Sequence, residues 1–231
     1  MNKTDEIVFE TDSAWASKYP NAKAGVLVIK NIENSASHPE LDKLRTAVEN
    51  SVREQYQGFS REDLNELPII KSYNSYYKNF GKTYHVRAQV ESIINGKPLS
   101  SGSAVLTAMF MAEVKNMLLT AGHDCYRLEF PVRITVGTGI ENFTDIRGAA
   151  KTAVAGDMLM HDKEGIISSI LLGPDSRTKL TPSVREVLFA VYAPLEIEKS
   201  FVHAHLKDIE SYVRAFSPDS TTEFLDVFVA H

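Results

Sequence analysis

VAGDMLMHDKEGIISSILLGPDSRTKLTPSVREVLFAVYAP, Val154 to Pro194, is the stretch whose reading decides the fold. Apolar residues here alternate or run in short blocks, and Gly, Asp and Pro punctuate them, which is the period of strands. GDMLMHD and GIISSILL read as two strands joined by the Asp162-Lys163-Glu164-Gly165 turn. VREVLFAVYA reads as a third, stopped by Pro194. Between the second and third lies GPDSRTKLTP, dense in hydroxyls and cations. Gly173 and Pro174 shape a turn, Asp175 and Ser176 can bond neighbouring amides, and Arg177 and Lys179 offer donors to an anion. Composition alone favours an ordinary capped turn; the alternative is a binding loop.

Working upstream, YRLEF and RITVGTG share the strand period and bring the count after Gly122 to five. Before Gly122 the period is 3.6. HPELDKLRTAVENSVREQY places Leu41, Leu44, Val48, Val52 and Tyr56 on one helical face, with Pro39 in its first turn. Ile69 to Phe80 forms a second helix with Tyr73, Tyr76, Tyr77 and Phe80; base stacking and core packing both suit these rings, and the spacing favours core. Arg87 to Ile94 is a short helix. SGSAVLTAMFMAEVKNMLLTAG, capped by Ser101 or Ser103 and ended by Gly122, is nearly all apolar and reads as a buried helix. One earlier strand, Gly25 to Ile32, and a closing helix carrying Phe201, Val202, Leu206, Ile209, Val213 and Phe216 complete the chain. Helices before and after a run of strands give α+β, without the βαβ alternation of a parallel sheet.

Composition narrows the function classes. The chain has 231 residues, 43% of them hydrophobic, enough for one large core or two small ones. A net charge of −5 argues against a generally basic nucleic-acid binder and against DNA as a partner. The single Cys125, together with the lack of a leader or membrane-length apolar run, fits the reducing cytoplasm. Metal chemistry finds no pattern: His203 and His205 are two apart on a helix and face different ways, and His123-Asp124-Cys125 is one short turn. Cys125 beside a strand start is inert core in most proteins. The glycine pair of VGTGIENF lacks a third glycine and a following helix, so it marks a bulge or turn rather than a dinucleotide site. No cofactor is expected.

The order of YYKNFGKTYHVRAQVESIINGKPLS, then the helix ending in AGHDCYRLEF, then VAGDMLMHD to VYAP resembles the B3/B4 module. That module is the tRNA-editing domain in the beta subunit of bacterial phenylalanyl-tRNA synthetase, where it hydrolyses the ester of tyrosine mistakenly joined to the phenylalanine tRNA. The resemblance spans residues 70–195. It implies a single α+β domain over residues 1–231, with an N-terminal arm (1–24) and a C-terminal helical extension (196–231). The sheet is expected to be irregular, barrel-like and mainly antiparallel, with a pocket between its halves.

Carried over by position, Tyr126 stands where the family has a pocket histidine. Asp175, or Ser176 in an ungapped match, stands where it has a glutamate that reads the tyrosine hydroxyl. Ser101-Gly102-Ser103 replaces the Asn-Pro at the start of the central helix. The expected site therefore uses Asp175 and Thr178 as catalytic residues, with His123, Tyr126, His161, Gly173, Ser176, Arg177 and Lys179 binding substrate. The expected partner is an aminoacyl-tRNA or an amino-acid derivative, and the expected activity is ester hydrolysis in trans without synthetase activity. The alternative is a non-catalytic module that binds an amino acid or a protein.

Overall fold

The computed structural model describes residues 8–100 and 102–231. The first seven residues of the N-terminal arm, and Ser101 as a candidate helix cap, lie outside the described residues. The rest of the arm is ordered into β1 (Phe9–Thr11) and α1 (Ser13–Lys18). Asp12 caps α1 by accepting from the Ala14 N–H, and the helix buries Trp15 completely. β2 (Lys23–Lys30) follows, then α2 (Pro39–Gln55), whose Pro39 occupies the first turn. A Ser60–Asp63 capping box starts the short α3 (Arg61–Glu66). α4 (Pro68–Lys78), α5 (His85–Ile94) and α6 (Ala104–Asn116) lead into the strand-rich half, with Ser103 capping α6. There the chain forms β3 (Thr120–Asp124), β4 (Val132–Val136), β5 (Asn142–Thr144), β6 (Ala150–Thr152), β7 (Met158–Asp162), β8 (Gly165–Ser169), β9 (Gly173–Pro174) and β10 (Val187–Ala193). α7 (Lys199–Phe216) and β11 (Thr221–Val229) close it.

The strands assemble into three open sheets. One is antiparallel in the order β11-β2-β10-β3; a second, β1-β4-β7-β8-β9, is antiparallel except for the parallel pair β1–β4; β5 and β6 make a small ribbon. This is the α+β architecture that the element order predicts, with separate sheets in place of a closed barrel. β2 and β10 lie inside their sheet and are apolar on both faces, which explains their unbroken hydrophobic runs. α7 crosses β2 at Gly25, where an added Cβ would lie 2.7 Å from Val202 Cγ1 and 3.3 Å from Leu206 Cδ1. Only a missing side chain allows that approach.

The tyrosines of α4 bind the two large sheets together. Tyr73 donates to the Tyr192 carbonyl on β10 and accepts from Leu119 N–H at 3.0 Å. Tyr76 donates to Asp157 at 2.6 Å, and Tyr77 donates to the Ile170 carbonyl at 2.6 Å, both on the β7–β9 side. All three rings are buried, so they are core, each with a satisfied hydroxyl.

Four readings need correction. The long apolar helix ends at Asn116, not Gly122: Met117 takes a left-handed conformation (φ 56°), and Thr120–Asp124 becomes a strand. Its five residues are all buried, and such a run has no period that separates strand from helix. YRLEF is not a strand; Cys125–Arg127 forms a 3-10 turn capped by Asp124. The β5–β6 ribbon lies in a stretch that carried no strand signal. The C-terminal segment is not purely helical, because β11 pairs with β2 over nearly its whole length.

Candidate functional site

A cavity of about 400 Å³ opens between α5, α6, β3 and the corner where β8 turns into β9. Met109, Phe110, Leu119, Ile170 and Leu180 supply much of its wall. Glu113, Gln89, Thr120 and Tyr192 contribute polar groups within it, and the exposed Arg147 and His85 stand at its edge. The volume falls in the range of small-molecule sites. Gly122 shapes one wall: a Cβ there would meet Leu180 Cδ1 at 2.6 Å and Met109 Sδ at 3.4 Å.

Of the nine residues expected from the sequence, Gly173 lines this cavity. Asp175, Thr178 and His123 are brought together directly behind it, all buried. The Thr178 hydroxyl donates to the Asp175 carboxylate, which also accepts the Thr178 N–H at 3.1 Å and the Arg177 N–H at 3.1 Å. With its proton so directed, Thr178 Oγ1 is left as an acceptor for His123 Nδ1–H at 2.8 Å. His123 Nε2 then accepts from the Ser168 hydroxyl at 3.2 Å, and Ser168 accepts from Tyr192 at 2.6 Å. A single file of hydrogen bonds thus runs from Asp175 to the Tyr192 ring on the cavity wall. Burial pushes the His123 imidazole down to about 3, so it is neutral, as this arrangement requires.

The remaining expected residues are spread around this file. Arg177 clamps Asp162 with two contacts, 2.9 and 2.7 Å, and donates to the Arg127 carbonyl at 2.8 Å. The buried Asp162 also takes the N–H groups of Glu129, Glu164 and Gly165, fixing the β7–β8 turn. Ser176 is half-buried and its N–H bonds the Thr144 carbonyl at 2.9 Å. Lys179 is exposed and bridges His123 through the backbone. Tyr126 is 62% exposed on its 3-10 turn, and His161 borders a separate groove with Pro131 and Arg133. Neither lines the cavity.

Two groups that sequence reading passed over dominate the cavity chemically. Glu113 on α6 is 2% exposed, accepts the Thr120 N–H at 2.8 Å, and burial pushes its carboxyl up to about 8. Gln89 on α5 has a buried amide oxygen that accepts no hydrogen bond. A signal for Glu113 was present: it is the one acidic residue within an otherwise apolar helical stripe. Thr120 also touches the buried His205 at 2.8 Å, which explains why His205 turns inward while His203 faces solvent. Cys125 is buried and its thiol is pushed well above its ordinary range, so it is no nucleophile at neutral pH. Among the described residues no three His, Cys, Asp or Glu side chains are grouped to hold a metal ion.

A solved structure shares this architecture. The crystal structure of an N-terminal fragment of the phenylalanyl-tRNA synthetase beta subunit from Pyrococcus horikoshii matches with a TM-score of 0.50 at 8% identity, over 96% of this chain and 50% of that one. The chain therefore spans half the length of that fragment, and at this identity the likeness defines a shared fold. No protein-family model and no curated protein matches the sequence. Among the described residues no helix is long and apolar enough to cross a membrane.

Proposed function

We propose that this chain is a module of the B3/B4 type that receives the aminoacyl end of an RNA in the α5–α6 cavity and hydrolyses its ester. The observation that carries this reading is the cavity itself, at the corner where the β9 turn meets the α6–β3 junction, within a fold like that of the synthetase fragment. An aminoacyl ester is already activated, so catalysis needs chiefly a placed water and a donor for the developing oxyanion. Tyr192 and Thr120 are the hydroxyl-bearing residues of the cavity wall, and in this reading Tyr192 turns its proton from Ser168 to the oxyanion. In this reading Asp175 and Thr178 are positioning residues that act through His123 and Ser168 on Tyr192. Arg147 at the edge and Lys179 beside Leu180 face the RNA phosphates.

A second reading is amino-acid binding without turnover. It is favoured by the placement of His123, the one imidazole in the network, behind the wall and wholly buried. Deacylation measured against a panel of mischarged tRNAs separates the two: release of the amino acid by the wild type, lost in Tyr192→Phe, supports the first. Ligand-induced stabilisation without release selects the second.

A further inference from the structure

The cavity holds more acceptors than the protein supplies donors for. One oxygen of Glu113 takes the Thr120 N–H; among the described residues the other, which carries the proton of the neutral form and becomes an acceptor on ionisation, has no partner, and no Lys or Arg pairs with the carboxyl. The amide oxygen of Gln89, on the neighbouring helix, is buried without a partner. Both residues line the same cavity, whose remaining wall is largely hydrocarbon. Acceptors left unmatched in an apolar enclosure favour a ligand that brings the missing N–H groups. A cation suits best, because a carboxylate in such surroundings is stabilised by an opposite charge. At the edge Arg147 offers the opposite preference, for an anionic or carbonyl end.

We propose that the cavity selects a primary ammonium carried on an apolar body, with Glu113 and Gln89 as its acceptors and the far end of the ligand toward Arg147. The chemical class is the α-amino acid or its ester. This assignment rests on the same cavity as the functional reading and names the group that the cavity recognises. Binding follows a balanced exchange: neutral Glu113 releases its proton to solvent, and the carboxylate so formed accepts from the ammonium. The groups facing Glu113 do not substitute for that cation. Tyr73, Tyr77 and Tyr84 are neutral phenols held well above their ordinary range, and Thr120 is uncharged. His85 and Arg147 belong to the edge.

The test is calorimetric titration of the whole chain with L-leucine, L-methionine and L-phenylalanine, their methyl esters, and the N-acetyl forms of each. The amine-bearing compounds are expected to bind at least about tenfold more tightly than their N-acetyl counterparts. For the free amino acids, whose ammonium keeps its proton over this range, affinity should rise by tens of fold from pH 6 to pH 8, with proton release seen as a dependence of the heat on the buffer. Glu113→Gln and Gln89→Leu, each verified as folded by circular dichroism, should each lose about tenfold in amine affinity. Equal binding of acetylated forms, wild-type affinity in Glu113→Gln, or no binding by any amine overturns the assignment. Turnover of mischarged tRNA that survives Glu113→Gln would remove the ammonium site and leave the editing function. Selective amine binding without turnover would do the reverse.

Discussion

The His123 imidazole lies 2.8 Å from the Thr178 hydroxyl, and because that hydroxyl gives its proton to Asp175, the contact fixes His123 as the Nδ1–H tautomer. Three residues expected to touch substrate instead stabilise one another behind the cavity. Thr178→Val removes both bonds of the hydroxyl and leaves a buried imidazole N–H and a buried carboxylate short of partners. It should destabilise the fold by about 2–4 kcal/mol, read by urea unfolding. Unchanged stability would show that His123 is held by other means.

Arg177 and Arg147 separate structure from recognition in the same way. Arg177 is about a third exposed, but its partner Asp162 is wholly buried. Arg177→Ala should cost about 1–3 kcal/mol, the buried-pair value discounted for solvent screening, without altering amine affinity in the cavity. Arg147→Ala should stay within about 0.5 kcal/mol of the wild type in stability and weaken ligands with an anionic end. Opposite results from paired unfolding and titration experiments would return the phosphate-binding task to Arg177.

The helices of residues 39–55 and 68–78 were legible by their period, and the strands of residues 158–169 and 187–193 by short apolar runs that Gly, Asp and Pro bound on either side. Legibility failed at Thr120–Asp124, because the apolar Met117-Leu118-Leu119 joins it to the preceding helix with no Gly or Pro between them to mark the boundary. It failed again at Thr221–Val229, whose residues are largely half-buried or exposed. The polar GPDSRTKLTP segment was conspicuous in sequence because such groups are many, yet in the fold they chiefly satisfy one another. Glu113 was inconspicuous because one carboxylate in an apolar helix is a small departure from pattern, although its burial makes it the costlier group. The dense polar segment proved to be a self-satisfied turn, and the single buried carboxylate of α6 is the group on which the proposed site rests.

Two buried imidazoles should make the protein acid-sensitive. Burial holds His123 and His205 down to about 3, against about 6.5 in the unfolded chain. Below pH 6.5 the unfolded state binds more protons, so the stability each residue contributes is present above that value and lost as pH falls toward 3. Glu113 and Asp157, both pushed up, act in the opposite direction over part of this range. The informative quantity is therefore a difference between variants. Stability of the wild type minus that of His205→Gln should fall by roughly 2 kcal/mol between pH 7 and pH 5; a flat difference in urea titrations would mean that His205 ionises freely in the folded state.

Glu113 should set the alkaline side. Its carboxyl titrates near 4.5 when unfolded and is raised to about 8 in the fold, because burial disfavours the charged form. Between those values the folded state keeps a proton that the unfolded state has released, so stability is fully present below about 4.5 and declines as pH rises through about 8. Each unit in that window is worth on the order of 1.4 kcal/mol. Glu113→Gln cannot lose a proton, and its advantage over the wild type should therefore grow from pH 5 to pH 8 and then level off. An ammonium ligand at saturation should remove most of that difference by stabilising the charged carboxylate. Thermal melts of both proteins across the range, with and without L-leucine, test this: parallel curves without ligand would mean that the carboxyl is solvated, and a ligand that stabilises both proteins equally would mean that it binds elsewhere.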